Sequence, residues 1–234
     1  MGSSARIERM TAIATPLQAT IDPLWFVVAA VVLFLAMAAL GPRVSLSLRE
    51  TRSPTTDEQD DLGGLLAAAD LDPTAIHISE TADPSSVQVS LIGLPGRRQL
   101  LLTEGFLDRL EDATATALLT AEAQRGRLFY LEYRAVAAAA VIGVATAMFG
   151  GLIAFSNGLF VIALTALVLF WIGRQLQFRA DRAAADRVGA DALADAFGVV
   201  ADHRGVTPEG ATWRTYFEVQ PPLGQRIDRL RASE

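Results

Sequence analysis

Three long apolar runs dominate the hydrophobic pattern. The first, Leu24 to Leu40, reads LWFVVAAVVLFLAMAAL and carries no charge. The second runs from Ala135 to Phe155, again uncharged. The third runs from Leu159 to about Leu176, with only Arg174 near its end. About 20 apolar residues in a helix cross a bilayer, with a range of about 17–25, so all three predict membrane helices. The first apolar core exceeds the ~7–15 residues of a signal peptide, and no small-x-small cleavage site follows Leu40, so an uncleaved anchor is expected. Ser156, Asn157 and Gly158 predict a tight turn that makes the last two helices a hairpin. Gly143, Gly150 and Gly151 would let helices approach closely.

The polar stretches predict a smaller folded part. Thr51 to Gly64, TRSPTTDEQDDLGG, reads as a linker. Its acidic cluster reads as a solvated loop rather than a metal site. Three short strands are expected at Ala75–Glu80, Ser86–Leu94 and Gln99–Thr103, the last two flanking the turn signal Pro95-Gly96-Arg97-Arg98. From Glu104 the period becomes helical, through Phe106, Leu107 and Leu110 and then Ala117, Leu118, Leu119 and Ala121. That helix is expected to continue through Leu128 and Tyr133 into the second membrane helix. Gln175 to Phe197 predicts a further helix stopped by Gly198, and a last short helix spans Pro222 to Leu230.

Composition agrees with a membrane protein. Of 234 residues, 51% are hydrophobic and 20% charged, below the ~25% charge of soluble domains. The net charge of −6 argues against a nucleic-acid partner. There is no cysteine, hence no disulfide, thiolate metal site or cysteine nucleophile. Every cationic side chain is arginine, as codon bias alone would give; the excess of acid would also suit high salt. Arg43, Arg49 and Arg52 follow the first helix, Arg134 precedes the second, Arg174 follows the third, and the hairpin loop is uncharged. By the positive-inside rule the polar parts between helices one and two, and after helix three, face the cytoplasm. Arg6 and Arg9 in the N-terminal tail pull the other way.

Four segments in order carry a family resemblance. Gly93-Leu94-Pro95-Gly96-Arg97-Arg98 leads into Leu100 to Gly105. Gly105-Phe106-Leu107-Asp108-Arg109-Leu110 precedes Leu118-Leu119-Thr120-Ala121-Glu122-Ala123-Gln124-Arg125. After the hairpin come Gln177-Phe178-Arg179-Ala180-Asp181 and then Gln220-Pro221-Pro222-Leu223-Gly224-Gln225-Arg226-Ile227. This order resembles the membrane zinc metallopeptidases of the HtpX and CAAX-prenyl-protease type, with their glycine-proline hairpin, "V-L-A-H-E-x-x-H", "E-[YF]-x-A-D" and "H-P-P-x-x-x-R-I" segments. It covers most of the chain from about residue 75.

The resemblance implies a mainly α membrane protein of α+β type. It would have three transmembrane helices, a small β-hairpin or sheet, and a zincin-like helical cleft on the cytoplasmic side of the cell membrane. The parts would be an N-terminal tail (1–23), transmembrane helix one (24–41), a linker (42–66), the first part of the peptidase-like domain (67–134), the membrane hairpin (135–176) and the second part (177–234).

The resemblance also locates a site, and the site is degenerate. In H-E-x-x-H two histidines four residues apart share a helix face and bind zinc, and the glutamate between them takes a proton from zinc-bound water. A glutamate from a later helix is the third ligand. Here the ligand positions hold Ala121, which has no donor, Arg125, a permanent cation, and Gln177, a feeble neutral ligand. Glu122 stands at the general-base position and Asp181 at a supporting acid; Gln220 replaces a later histidine. The two histidines, His77 in a strand and His203 in a polar turn, fall at no family ligand position.

The expectation is therefore no zinc and no catalysis, with a binding or regulatory role beside an active paralogue or another membrane protein. An active zinc endopeptidase with unusual ligands, and a membrane scaffold or assembly subunit, are the alternatives. Arg125, three residues after Glu122, is expected to replace the metal's charge by holding Glu122, Asp181 or both, with Gln177 adding a hydrogen bond. The alternative is an Arg125 turned to solvent or headgroups.

Overall fold

A computed structural model of the chain describes residues 22–80, 86–203 and 221–232. Gln220 lies outside the described residues. The element order is α1 (Pro23–Leu48), β1 (Thr51–Arg52), α2 (Thr56–Ala68), β2 (Ala75–Ser79), β3 (Val89–Ile92), β4 (Gln99–Thr103), α3 (Glu104–Arg109), α4 (Asp112–Arg127), α5 (Tyr130–Phe149), α6 (Phe155–Val188), α7 (Ala190–His203) and α8 (Leu223–Arg231).

Helices α1, α5 and α6 are long and apolar enough to cross a membrane. Asp22 caps α1 by accepting the Leu24 N–H at 2.9 Å, and Pro23 sits in the first turn, where its missing N–H costs nothing. Trp25, Phe26, Leu33, Phe160, Leu167 and Trp171 are all exposed, a surface that water would not tolerate and lipid would. By length, composition and exposure this is an integral membrane protein with a mostly helical fold and a small sheet.

The hairpin turn lies a few residues before its expected place. Gly150 to Ala154 connect α5 to α6, with Gly151 at φ +77°, and Ser156, Asn157 and Gly158 belong to the first turn of α6. Gly158 serves packing instead: a Cβ there would stand 2.6 Å from Met148 Cγ on α5. The expected run from the cleft helix into the membrane helix is also broken. Phe129 adopts φ +52° between α4 and α5, a left-handed conformation that costs an L-residue about 1–2 kcal/mol. Gly198 does not stop the helix after the hairpin. The break falls at Gly189, φ +93°, and α7 runs through Gly198 to His203, so His203 ends a helix instead of lying in a turn.

The expected linker is folded. Within 42–66, α1 continues past Pro42 to Leu48, Thr51–Arg52 forms β1, and α2 begins at Thr56. A capping box starts α2: Thr55 Oγ1 accepts the Glu58 N–H at 3.4 Å, and Glu58 accepts the Thr55 N–H at 2.7 Å. Glu58 also receives Arg52 at 2.7 Å, which joins β1 to the helix. These partners hold its carboxyl down to about 2. The acidic cluster is thus helical, with Leu62 turned fully inward.

The sheet has the order β1-β2-β4-β3. The hairpin β3–β4 is antiparallel, with Ser90 opposite Leu101, and turns through Gly93 (φ +94°) and Gly96 (φ +75°). Strand β3 is shorter than the expected Ser86–Leu94. Strand β2 runs parallel to β4, Ile78 beside Leu102, and β1 closes one edge. The sheet packs on α4 through β3, α7 packs on the other side of α4, and Leu62, Leu100, Leu102, Phe106, Leu119 and Leu193 form a single core.

Candidate functional site

Helix α4 packs against α6 and α7, and α8 packs against the same two. This brings segments far apart in sequence to one cleft of about 370 Å³. Ala121, Glu122 and Arg125 line it from α4, Phe197 and Val200 from α7, Arg226 from α8, and Val87 to Ser90 from the β3 side. Gln177 and Asp181 stand one turn apart on α6, both buried.

The charges in the cleft are paired. Arg125 Nη1 donates to Glu122 Oε1, three residues back on the same helix, with 22% and 12% of the side chains exposed. Asp181 is held by a different arginine. Arg226 Nε donates to Asp181 Oδ2 at 2.7 Å and Nη2 to Oδ1 at 2.7 Å, a bidentate fork. These two side chains are 7% and 4% exposed. Gln177 Nε2 adds a bond to Asp181 Oδ1 at 3.2 Å, and the Arg226 guanidinium lies 4.0 Å from the centroid of the Phe197 ring. Arg125 therefore takes Glu122 alone of the two expected carboxylates, and Gln177 makes the expected neutral contact to Asp181.

The electrostatics follow from crowding. Burial works against the charge on Arg125, but the carboxylates of Glu122 and Asp181 outweigh it and hold the proton more tightly than usual. Burial works hardest against Arg226, then the like charge of Arg125, while Asp181 opposes both. Two cations and two carboxylates balance. The Arg125 Nε is buried with no hydrogen-bond partner among the described residues.

Sequence reasoning missed Arg226 as the partner of Asp181. The residue stood in the quoted Pro-Pro segment, but 45 residues separate the two. Neither His77 in β2 nor His203 at the end of α7 lines the cleft; His203 Nδ1 lies 2.8 Å from the Val199 carbonyl. Among the described residues no three of His, Asp or Glu come together as a metal site would require.

The β3 edge is the other chemical feature. The Thr103 N–H donates to the Gln88 carbonyl at 3.1 Å. In an antiparallel ladder hydrogen-bonding residues alternate, so Gln88 and Ser90 face β4 while Val87 and Val89 present their backbone groups to an edge that no other strand covers among the described residues. That edge borders the cleft.

Three membrane-crossing helices joined to a small mixed sheet and a four-helix cleft define a class of membrane-embedded α+β protein. Within that class, the fold is similar to the crystal structure of S. mikatae Ste24p, with a TM-score of 0.66 and 14% sequence identity. The match covers 86% of this chain and 55% of Ste24p, so the chain spans about half the length of that protein. At this identity the likeness is one of fold. No protein-family model matches the chain, and no curated protein does.

Proposed function

We propose that the chain is a non-catalytic relative of the membrane zinc metallopeptidases, and that its cleft binds without cutting. The fold is similar to that of Ste24p, and the order of the four segments resembles the membrane zinc metallopeptidases of the HtpX and CAAX-prenyl-protease type. The carrying observation is the filling of the ligand positions. Ala121 offers no lone pair, Arg125 brings a cation tied to Glu122, and Gln177 spends its amide on Asp181. A divalent cation placed among them would meet two guanidinium groups. The donor set does not fit zinc. Glu122, at the general-base position, is ion-paired with Arg125.

What supports retained binding is the open cleft beside the β3 edge. The backbone groups of Val87 and Val89, unpaired with any strand among the described residues, can pair with an extended peptide by strand addition. The cleft faces the cytoplasm in this reading. Arg49 and Arg52 after α1, Arg134 in α5 and Arg174 in α6 lie toward the cleft end of the membrane helices, and the Gly150–Ala154 turn at the other end is uncharged. An active paralogue or another membrane protein is the expected source of the bound segment.

Elemental analysis of purified protein, run beside a casein-cleavage assay, tests this. No stoichiometric zinc and no cleavage are expected. One zinc per chain, with cleavage lost on Glu122→Gln, would overturn the proposal.

A further inference from the structure

A second cavity, sharing no lining residue with the cleft, lies between α5 and α6. It measures about 240 Å³ and is lined by Tyr133, Arg134, Ala138, Ala166, Leu169 and Gly173, among others. Ala138 and Ala166 are small, which leaves a furrow between the two helices. Arg134 stands at its mouth. The Arg134 side chain is exposed and has no carboxylate partner among the described residues. Tyr130, one turn before Arg134, lines the same cavity; it is 3% exposed and its hydroxyl is buried without a partner among the described residues.

The level of this mouth along the membrane can be read from its neighbours. Tyr133 donates its hydroxyl proton to the Leu169 carbonyl, and Gly173 packs on the Tyr133 ring. Trp171 is exposed and Arg174 follows directly. Aromatic and arginine side chains collect where hydrocarbon meets headgroups. The furrow runs from Arg134 to Val141, about 10 Å of helix inward. Its outer end is cationic and at the headgroup level, and its floor is apolar.

We infer that this furrow seats one anionic phospholipid, with the phosphate on Arg134 and the first part of one acyl chain between Ala138 and Ala166. Charge complementarity selects the occupant. An unpaired guanidinium at the headgroup level attracts an anionic lipid by about 1 kcal/mol, and an apolar furrow open to lipid takes a chain. A free phosphate would have no use for the floor, and a neutral lipid none for the arginine.

Native mass spectrometry of the full chain in detergent tests the inference, with dioleoyl phosphatidylglycerol, dioleoyl phosphatidylcholine and glycerol 3-phosphate as probes. Phosphatidylglycerol should occupy one saturable site about fivefold more tightly than phosphatidylcholine, the fold-change that ~1 kcal/mol gives. Arg134→Gln should erase the preference, Arg134→Lys should keep it, and Ala138→Leu should abolish saturable binding of both lipids. Glycerol 3-phosphate should not compete. Equal affinity for the two lipids in the unmutated chain would sink the idea. So would a preference that survives Arg134→Gln, one lost in a folded Arg134→Lys, lipid binding unchanged by Ala138→Leu, or displacement by glycerol 3-phosphate. If Ala138→Leu does not fold, Ala166→Leu fills the furrow from the other wall and is read the same way.

Discussion

Arg226 closes a two-bond fork on Asp181, Nε to Oδ2 and Nη2 to Oδ1, both at 2.7 Å, across the 45 residues between α6 and α8. The fork is almost wholly out of water, so removing one member leaves an unpaired buried charge. Arg226→Ala should therefore destabilise the protein by about 3–5 kcal/mol. Arg226→Lys should recover little, because an ammonium cannot make the fork. Denaturant unfolding in detergent checks both. A loss below about 1 kcal/mol for Arg226→Ala would show that the pair does not hold α8 in place.

The Arg125–Glu122 pair is partly wetted, and its loss should cost less. Arg125→Ala should lower stability by about 1–3 kcal/mol. A double-mutant cycle with Glu122→Ala isolates the coupling, and a coupling energy near zero would mean that Arg125 serves only by packing.

Rebuilding the ligand set should rebuild the metal site. The triple change Ala121→His, Arg125→His and Gln177→Glu places two imidazoles one helical turn apart on α4 and a carboxylate on α6. Uptake of one zinc per chain by the variant, and none by the parent, is the expected outcome of elemental analysis. A zinc-free triple variant would mean that the cleft has lost more than its ligands.

Acid should loosen the join between β1 and α2. Glu58, ordinarily near 4.5, is held at about 2, first by Arg52 and then by the Thr55 amide. A lowered folded value contributes stability that is complete above about 4.5 and fades as pH falls toward 2. The pair is partly exposed and screened by solvent, so the contribution is at most about 1 kcal/mol. The protection factors of the α2 amides, taken against the intrinsic exchange rate at each pH, should fall between pH 4.5 and 2.5, and Glu58→Gln should remove that fall.

Topology can be read with single cysteines, since the chain has none of its own. Asp61→Cys on α2 should be shielded from an impermeant maleimide in intact cells, and Leu152→Cys in the hairpin turn should react. The reverse labelling would invert the orientation.

Much of the architecture was readable in advance because membrane helices and short apolar strands leave strong local patterns. Strand β4 has the predicted bounds, and the chain from Gly93 to Arg98 turns as the Pro-Gly signal implies. The segment before it was misread. The linker reading rests on Pro, Gly and the acidic run and takes no account of Thr55-x-x-Glu58, which is a capping box, and a two-residue strand such as β1 has no period to detect. The helix breaks depended on backbone conformation. Phe129 is left-handed although nothing in its side chain asks for it, and Gly189 rather than Gly198 takes the positive φ. At the site, Glu122 and Arg125 were legible as a pair because one turn of one helix joins them. The Asp181–Arg226 fork was not, because only the packing of α8 on α6 decides which of several arginines reaches the carboxylate.

Helix α6 has 34 residues without a break, about 51 Å of rod at 1.5 Å per residue. A bilayer core takes about 30 Å of that length. The remainder stands out as a fixed post, and Gln177 sits six residues beyond the interfacial Trp171, about 9 Å along the axis. The height of the cleft above the hydrocarbon is thus set by helix pitch and cannot be adjusted by a flexible tether. Anything that fills the cleft is therefore met at one fixed height, a few helical turns above the hydrocarbon.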